Sequence, residues 1–248
     1  MWGPKVEIFH SDRSAARALA RRIVTALAQN PRLVLGLPTG KTPVGLYHEL
    51  ASIAAAGHAD FSQATTFNLD EFLGIPPSHP SSYRQYMEHH LFSRVNLRAE
   101  NIHFLDGSAP DPAAECLRYE RAIDEAGGID VQILGIGTNG HIGFNEPASE
   151  LQARSHRVTL KPETRRSNAA LFHGDPHAVP REALSMGMAT ILNARAIVLL
   201  ATGRTKAECV ERLVSGPITS YLPASFLQTH RDVTIMIDEP AAERLSRR

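Results

Sequence analysis

The residues best equipped for chemistry fall in four short stretches. In Phe67-Asn68-Leu69-Asp70-Glu71-Phe72, two adjacent carboxylates end an apolar run. Asp70 in that place can act as a general base once partial burial lifts its pKa toward working pH. The alternative is an ordinary turn or helix-capping aspartate. The stretch Gly135–Pro147 carries four glycines between Gly135 and Gly143, so its backbone must turn sharply or approach a ligand. His141 and Glu146 project from it. A histidine titrates near neutral pH, and a carboxylate can fix its tautomer and stabilise its cation, which suits proton transfer. With Asp70, the pair would also offer one nitrogen and two oxygens to a metal. No second histidine shares the loop and no HxH or HExxH spacing occurs, so proton transfer is the preferred reading. Gly135-x-Gly137-x-x-Gly140 matches the spacing of a dinucleotide fingerprint, but HIGFNEP does not open a helix and Pro147 would stop one.

The other two stretches look built for an anion. Leu37-Pro38-Thr39-Gly40-Lys41-Thr42-Pro43 joins an apolar run to a helical pattern, with Thr42 expected as N-cap and Pro43 at the first helical position. Free backbone N–H groups at such a start attract anions. Gly40 lets a phosphate near the backbone, and Thr39 and Lys41 add a hydroxyl and a charge. The GxxxxGK[ST] spacing of a nucleotide-binding loop is absent. Ala201-Thr202-Gly203-Arg204-Thr205-Lys206-Ala207 repeats the arrangement, with Arg204 and Lys206 at the positive end of a helix. Cations there oppose the helix dipole, so the placement asks for an anion.

Elements that could position these loops alternate along the chain. Short apolar runs at Lys5–His10, Arg32–Leu37, Ala64–Leu69, Ile102–Leu105, Val131–Ile136, Ala196–Ala201 and Val233–Ile237 read as strands covered on both faces. Helical patterns fall at Asp12–Gln29, Pro43–Ala56, Ser82–Val95, Pro112–Ala126, Arg181–Asn193 and Lys206–Ser215. Alternation of this kind implies βαβ units and a doubly wound, mostly parallel sheet, whose functional groups gather past the carboxyl ends of the strands. Nothing suggests a linker, so residues 1–248 read as one domain. The polar, weakly periodic region 146–180 reads as a lid or site wall.

Composition narrows the function. Of 248 residues, 26 are basic and 26 acidic, which leaves no electrostatic footprint for nucleic acid or an anionic membrane. Ala194–Thr202, the longest apolar run, is broken by Arg195 and is too short to span a bilayer. Cys116 and Cys209 form no CxxC pair, and with no leader pattern at the amino end a reducing cytoplasm is expected. Assembly into a homo-oligomer is compatible with all of this.

Taken together, LGLPTGKTP (35–43), FNLDEFLGI (67–75), HPSSYRQYM (79–87), NIHFLDG (101–107), LGIGTNGHIGFNEPAS (134–149), VPREALSMGMATIL (179–192), ATGRTKA (201–207) and LQTHRDVTIMID (227–238) resemble the glucosamine-6-phosphate deaminase family, in family order along nearly the whole chain. The resemblance implies a Rossmann-like three-layer fold and no metal or organic cofactor. It implies an amino-sugar phosphate substrate, with His141 aiding ring opening, Asp70 moving the C2 proton to C1, and Glu146 holding His141. Asn139 stands where many members carry aspartate, and is expected to accept a hydrogen bond from His141. Thr39, Gly40 and Lys206 are implied phosphate contacts, with Lys41, Thr42 and Gly137 beside them. The family pattern has an arginine where this chain has Ala170; Lys41, Arg204, Arg165 and Arg166 are the candidates to replace it. A 6-phosphogluconolactonase-like hydrolase and a non-catalytic sugar-phosphate sensor are the alternatives.

Overall fold

The structure is a computed structural model that describes residues 3–245. Seven strands form the central sheet: β1 (Lys5–Phe9), β2 (Val34–Leu37), β3 (Thr65–Asn68), β5 (Ile102–His103), β6 (Val131–Leu134), β9 (Ala196–Ala201) and β10 (Val233–Asp238). Their order is β1-β10-β9-β6-β2-β3-β5, and every pairing is parallel. These are the seven expected strands: β1, β2, β3, β5 and β6 are trimmed at their ends, β9 keeps its expected bounds and β10 runs one residue further, to Asp238. Helices α1 (Asp12–Gln29), α2 (Val44–Ala55), α3 (Tyr83–His90), α4 (Pro112–Glu125) and α7 (Ala207–Ser215) connect them. The result is the expected α/β three-layer, Rossmann-like architecture.

The apolar runs are continuous because both faces of the sheet are covered. In β9, Ile197, Leu199 and Ala201 enter one core while Val198 and Leu200 enter the other. In and before β2, Leu33, Leu35 and Leu37 face the α1–α2 layer and Val34 the opposite one. That is the two-residue period of a strand read in two layers. Each fully buried leucine contributes about 1.5–3 kcal/mol. Gly36 lies between, where an added Cβ would come within 2.2 Å of Gln132 Oε1 on β6.

The chain winds outward from β2 through β3 to β5, then returns to the other side of β2 with β6 and continues through β9 and β10. The switch point lies between β2 and β6. The loops that follow them diverge there and leave a crevice at the carboxyl ends of the strands.

A second sheet of three antiparallel strands has the order β4-β8-β7: β4 (Asp70–Phe72), β8 (Glu182–Ser185) and β7 (His156–Thr159). It corrects the helix expected over Arg181–Asn193. That stretch is strand β8 followed by a short helix α6 (Met188–Leu192). Its apolar positions satisfied a helical spacing, but pairing with β4 and β7 captured the first half. A further helix, α5 (Pro162–Asn168), lies inside the polar 146–180 region. The helix expected over Ser82–Val95 ends at His90, and a separate 3-10 turn follows at Phe92–Arg94. Among the described residues, no helix is long and apolar enough to cross a membrane.

Candidate active site

Asp70 sits where the chain changes sheets. Leu69 N–H still donates to Leu37 O of β2 at 3.1 Å, while Leu69 O accepts from Met186 N–H at 2.7 Å, beside the second sheet. One residue on, Asp70 begins β4 opposite Ser185. Its side chain is buried, and burial first, then the charge of Glu71, pushes its carboxyl up to about 8. The neighbouring Glu71 takes a different role. Its Oε1 accepts from Phe72 N–H (2.8 Å) and Tyr83 N–H (2.9 Å), and its Oε2 from Arg84 N–H (2.9 Å). It ties β4 to the start of α3.

The glycine-rich loop after β6 seats His141. Gly137 N–H bonds to His141 O at 3.0 Å, and the imidazole folds back over Gly137, where an added Cβ would meet Cε1 at 2.3 Å. Gly137 is thus the floor under the ring. Gly140 turns the loop at φ +87°, which L side chains resist. His141 Nδ1 lies 3.6 Å from Glu146 Oε1, beyond hydrogen-bond length, and has no other partner. Asn139 does not bond the imidazole, contrary to expectation. Its Oδ1 accepts from the His141 backbone N–H at 3.2 Å, and its Nδ2 donates to Glu146 Oε2 at 2.8 Å. Thr164 Oγ1 of α5 donates to Glu146 Oε1. Burial works to raise the Glu146 carboxyl, but His141, Thr164 and Asn139 outweigh it and hold the group at about 2. The two carboxylates are therefore driven apart, Asp70 upward and Glu146 downward, the pattern that separates a proton carrier from a fixed negative charge.

Loop one differs from expectation in its cap. Helix α2 begins at Val44 with Pro43 in the cap position, and Thr42 makes no capping bond. Helices α1, α3 and α4 each have a side-chain cap from Ser11, Ser82 or Asp111, whereas α2 and α7 have none. Proline cannot cap through its side chain, so the first amides of α2 stay available to an anion. Two tyrosines hold the loop, Tyr47 of α2 and Tyr86 of α3. Tyr47 OH donates to Pro38 O, and Tyr86 OH donates to Gly40 O at 2.6 Å. Gly40 adopts φ +100° between them. Thr39 lies against the Tyr83 hydroxyl. Nothing in the sequence marks the hydroxyls of Tyr47 and Tyr86 for this role.

Lys206 reaches into the crevice. Its Nζ donates to Ile136 O, at the root of the His141 loop, at 2.7 Å. Burial pulls its pKa below the ordinary lysine value. Gly203, at φ +88°, makes the turn, and its N–H is held by Asp238. The other expected cations go elsewhere. Arg204 pairs with Glu243 at 2.7 Å, Arg166 pairs with Glu163 at 2.8 Å, and Arg165 donates to Val179 O and His177 O. Lys41 is exposed on loop one, and Ala170 is exposed in the turn after α5.

A parallel α/β sheet places a buried carboxylate, a His–carboxylate pair and an uncapped helix start around its switch point, the place where enzymes of this architecture hold their sites. The chain belongs to the family described as glucosamine-6-phosphate isomerases/6-phosphogluconolactonase, whose profile matches residues 10–236. It is 48% identical over 241 residues to the glucosamine-6-phosphate deaminase of Halothermothrix orenii, covering 97% of this chain and 100% of that one. It is 52% identical over 213 residues to glucosamine-6-phosphate deaminase 2 of Bacillus subtilis, covering 86% of each. A solved structure described as a monomeric glucosamine-6-phosphate deaminase superposes with a TM-score of 0.93 at 40% identity, over 96% of this chain and 99% of that one. A 6-phosphogluconolactonase from Trypanosoma cruzi shares the fold at TM-score 0.79 and 20% identity, over 99% of this chain and 98% of that one.

Proposed function

We propose that this enzyme converts glucosamine 6-phosphate to fructose 6-phosphate and ammonia. The observation that carries the reading is Asp70: a buried carboxyl raised to about 8, at the mouth of the crevice, suited to take and return a proton. His141 handles the ring-oxygen proton as the sugar opens. Asp70 then removes the C2 proton, the electron pair forms the C1=C2 bond, and the C1 carbonyl π pair moves to its oxygen, which takes up a proton to give an enolamine. Returning that proton to C1 leaves an imine at C2, which water hydrolyses to the ketose and ammonia. Glu146, fixed by Asn139 and Thr164, supports the charge that His141 carries in passing. The C1 carbonyl of the opened sugar takes up the electrons when the C2 proton leaves, and the C2 amine lone pair drives the proton onto C1, so this chemistry calls for no metal or organic cofactor.

The phosphate is assigned to the uncapped start of α2, with Thr39, Gly40, Lys41 and Thr42, and to Lys206. Arg204, Arg165 and Arg166 are engaged elsewhere, so Lys41 is the cation assigned to the place that the family arginine leaves at Ala170. Lactone hydrolysis needs no base at C2 and would leave Asp70 unexplained. Residues 1–248 are read as one working unit with 146–180 as a wall of the site, in the cytoplasm where sugar phosphates are metabolised. A homo-oligomer is compatible with this site, and sedimentation velocity gives the assembly state.

Ammonia and ketose are measured together from glucosamine 6-phosphate and from free glucosamine. Equal release of both products from the phosphorylated sugar, absent in Asp70→Asn, is expected. Preference for free glucosamine would overturn the phosphate assignment, and inertness of both sugars would overturn the reaction.

A further inference from the structure

Helix α5 carries two polar side chains one turn apart, and each reaches a different part of the site. Thr164 is buried, and its hydroxyl donates to Glu146 Oε1. Asn168 accepts the Tyr83 hydroxyl on Oδ1 at 2.9 Å, and its Nδ2 donates back to Thr164 O at 2.9 Å. Tyr83 in turn lies against Thr39 of the anion-binding loop. Residues four apart on a helix share a face, so one surface of α5 touches both halves of the site. Glu146 is gripped at both oxygens, Oε2 by Asn139 and Oε1 by Thr164. Those two bonds fix the rotation of the carboxylate and leave Oε1 facing His141 Nδ1 across 3.6 Å.

We propose that Thr164 and Asn168 are positioning residues: Thr164 sets the Glu146 carboxylate that His141 works against, and Asn168 holds Tyr83 on the phosphate loop. The proposal deepens the functional reading above and rests on it for its kinetic arm. Neither residue touches the reacting atoms. Rotating Glu146 away would cost the chemical step and not substrate capture. Releasing Tyr83 would loosen Thr39 and cost capture and not the chemical step. Charged groups facing Glu146 are His141 on its own loop and Glu163 on α5. Lys161, at the start of α5, donates to Pro147 O next to it at 2.7 Å.

The test uses Thr164→Val, which keeps the shape and removes the hydroxyl, Thr164→Ser, which restores it, and Asn168→Leu. Thr164→Val is expected to lower kcat by about ten- to a hundredfold with KM nearly unchanged. The Glu146 carboxyl should also titrate at higher pH, because it loses a hydrogen bond that favours its charged form. Thr164→Ser should bring both back. Asn168→Leu should raise KM several-fold and leave the Glu146 titration in place. An NMR titration of the Glu146 carboxyl in wild type and Thr164→Val needs no substrate, so it reads Thr164's role even if the sugar assignment fails. An unmoved Glu146 titration, or loss of kcat in Thr164→Val that Thr164→Ser does not recover, would overturn the proposal for Thr164. Unchanged KM in Asn168→Leu would overturn it for Asn168.

Discussion

The two sheets of this molecule meet at Leu69 and are built on different terms. The seven-stranded sheet is parallel and covered on both faces, and its strands β2 and β9 send alternate side chains into two separate cores. The three-stranded sheet is antiparallel, its strands are three or four residues long, and β7 alternates half-buried with exposed positions. One aromatic-rich cluster backs it, with Phe72, Tyr83, Phe144 and Phe172 at its centre. The large sheet has enough buried area to fix loop positions by itself. The small sheet is joined to the large one through Leu69 and Asp70 and packs on that one cluster. Asp70 owes its place along the chain to the first sheet and its dry surroundings to the second. At the seam Asp70 is held by the strand that carries it and removed from water, the surroundings a carboxylate needs to titrate near neutral pH.

Substitution at the seam should cost function before stability. Asp70→Asn is expected to lower kcat by about 10³-fold or more, the scale of a lost general base. Stability should move the opposite way. The Asp70 carboxyl rises from 3.8 to about 8 on folding, so the folded protein keeps a proton that the unfolded chain has released between those values. The stability tied to this group is fully present below about pH 4 and lost as pH climbs to about 8. Thermal melting at pH 5 and pH 8 should therefore show a smaller loss in Asp70→Asn than in wild type. For the wild-type free enzyme, kcat/KM should rise with pH through about 8. A limb set near the ordinary carboxylate range would break the contrast between the sheets.

Gly137→Ala tests the floor under His141. Its Cβ would displace the imidazole, and turnover should fall about a hundredfold while the protein still folds. Gly36→Ala probes the large sheet, where the added methyl meets Gln132 on the adjacent strand. Chemical denaturation should report a loss of about 1–3 kcal/mol, the usual cost of overpacking, with kcat unchanged in the folded fraction. Arg204→Ala should be the mildest. It removes an exposed pair with Glu243, so stability should change by less than about 1 kcal/mol and KM should stay the same. A raised KM there would return Arg204 to the phosphate site.

The seven parallel strands and the loops that follow them were legible in the sequence, and Asp70, His141, Glu146 and Lys206 stood out in those loops as candidates. Strands buried on both faces are written as continuous apolar runs, and the loops between them stand out by glycine content and charge. The second sheet was not legible. Its strands are too short to carry a period, and β4 and β8 find each other from distant parts of the chain. The same holds inside the site. Sequence supplied a histidine, two carboxylates and an asparagine. Only tertiary structure turned Asn139 from the imidazole to Glu146, brought Thr164 onto the other oxygen, and put tyrosine hydroxyls on the Pro38 and Gly40 carbonyls. The opposite shifts of Asp70 and Glu146 come from the same source. Desolvation and hydrogen bonding depend on what surrounds a group in space, and no spacing along the chain records that.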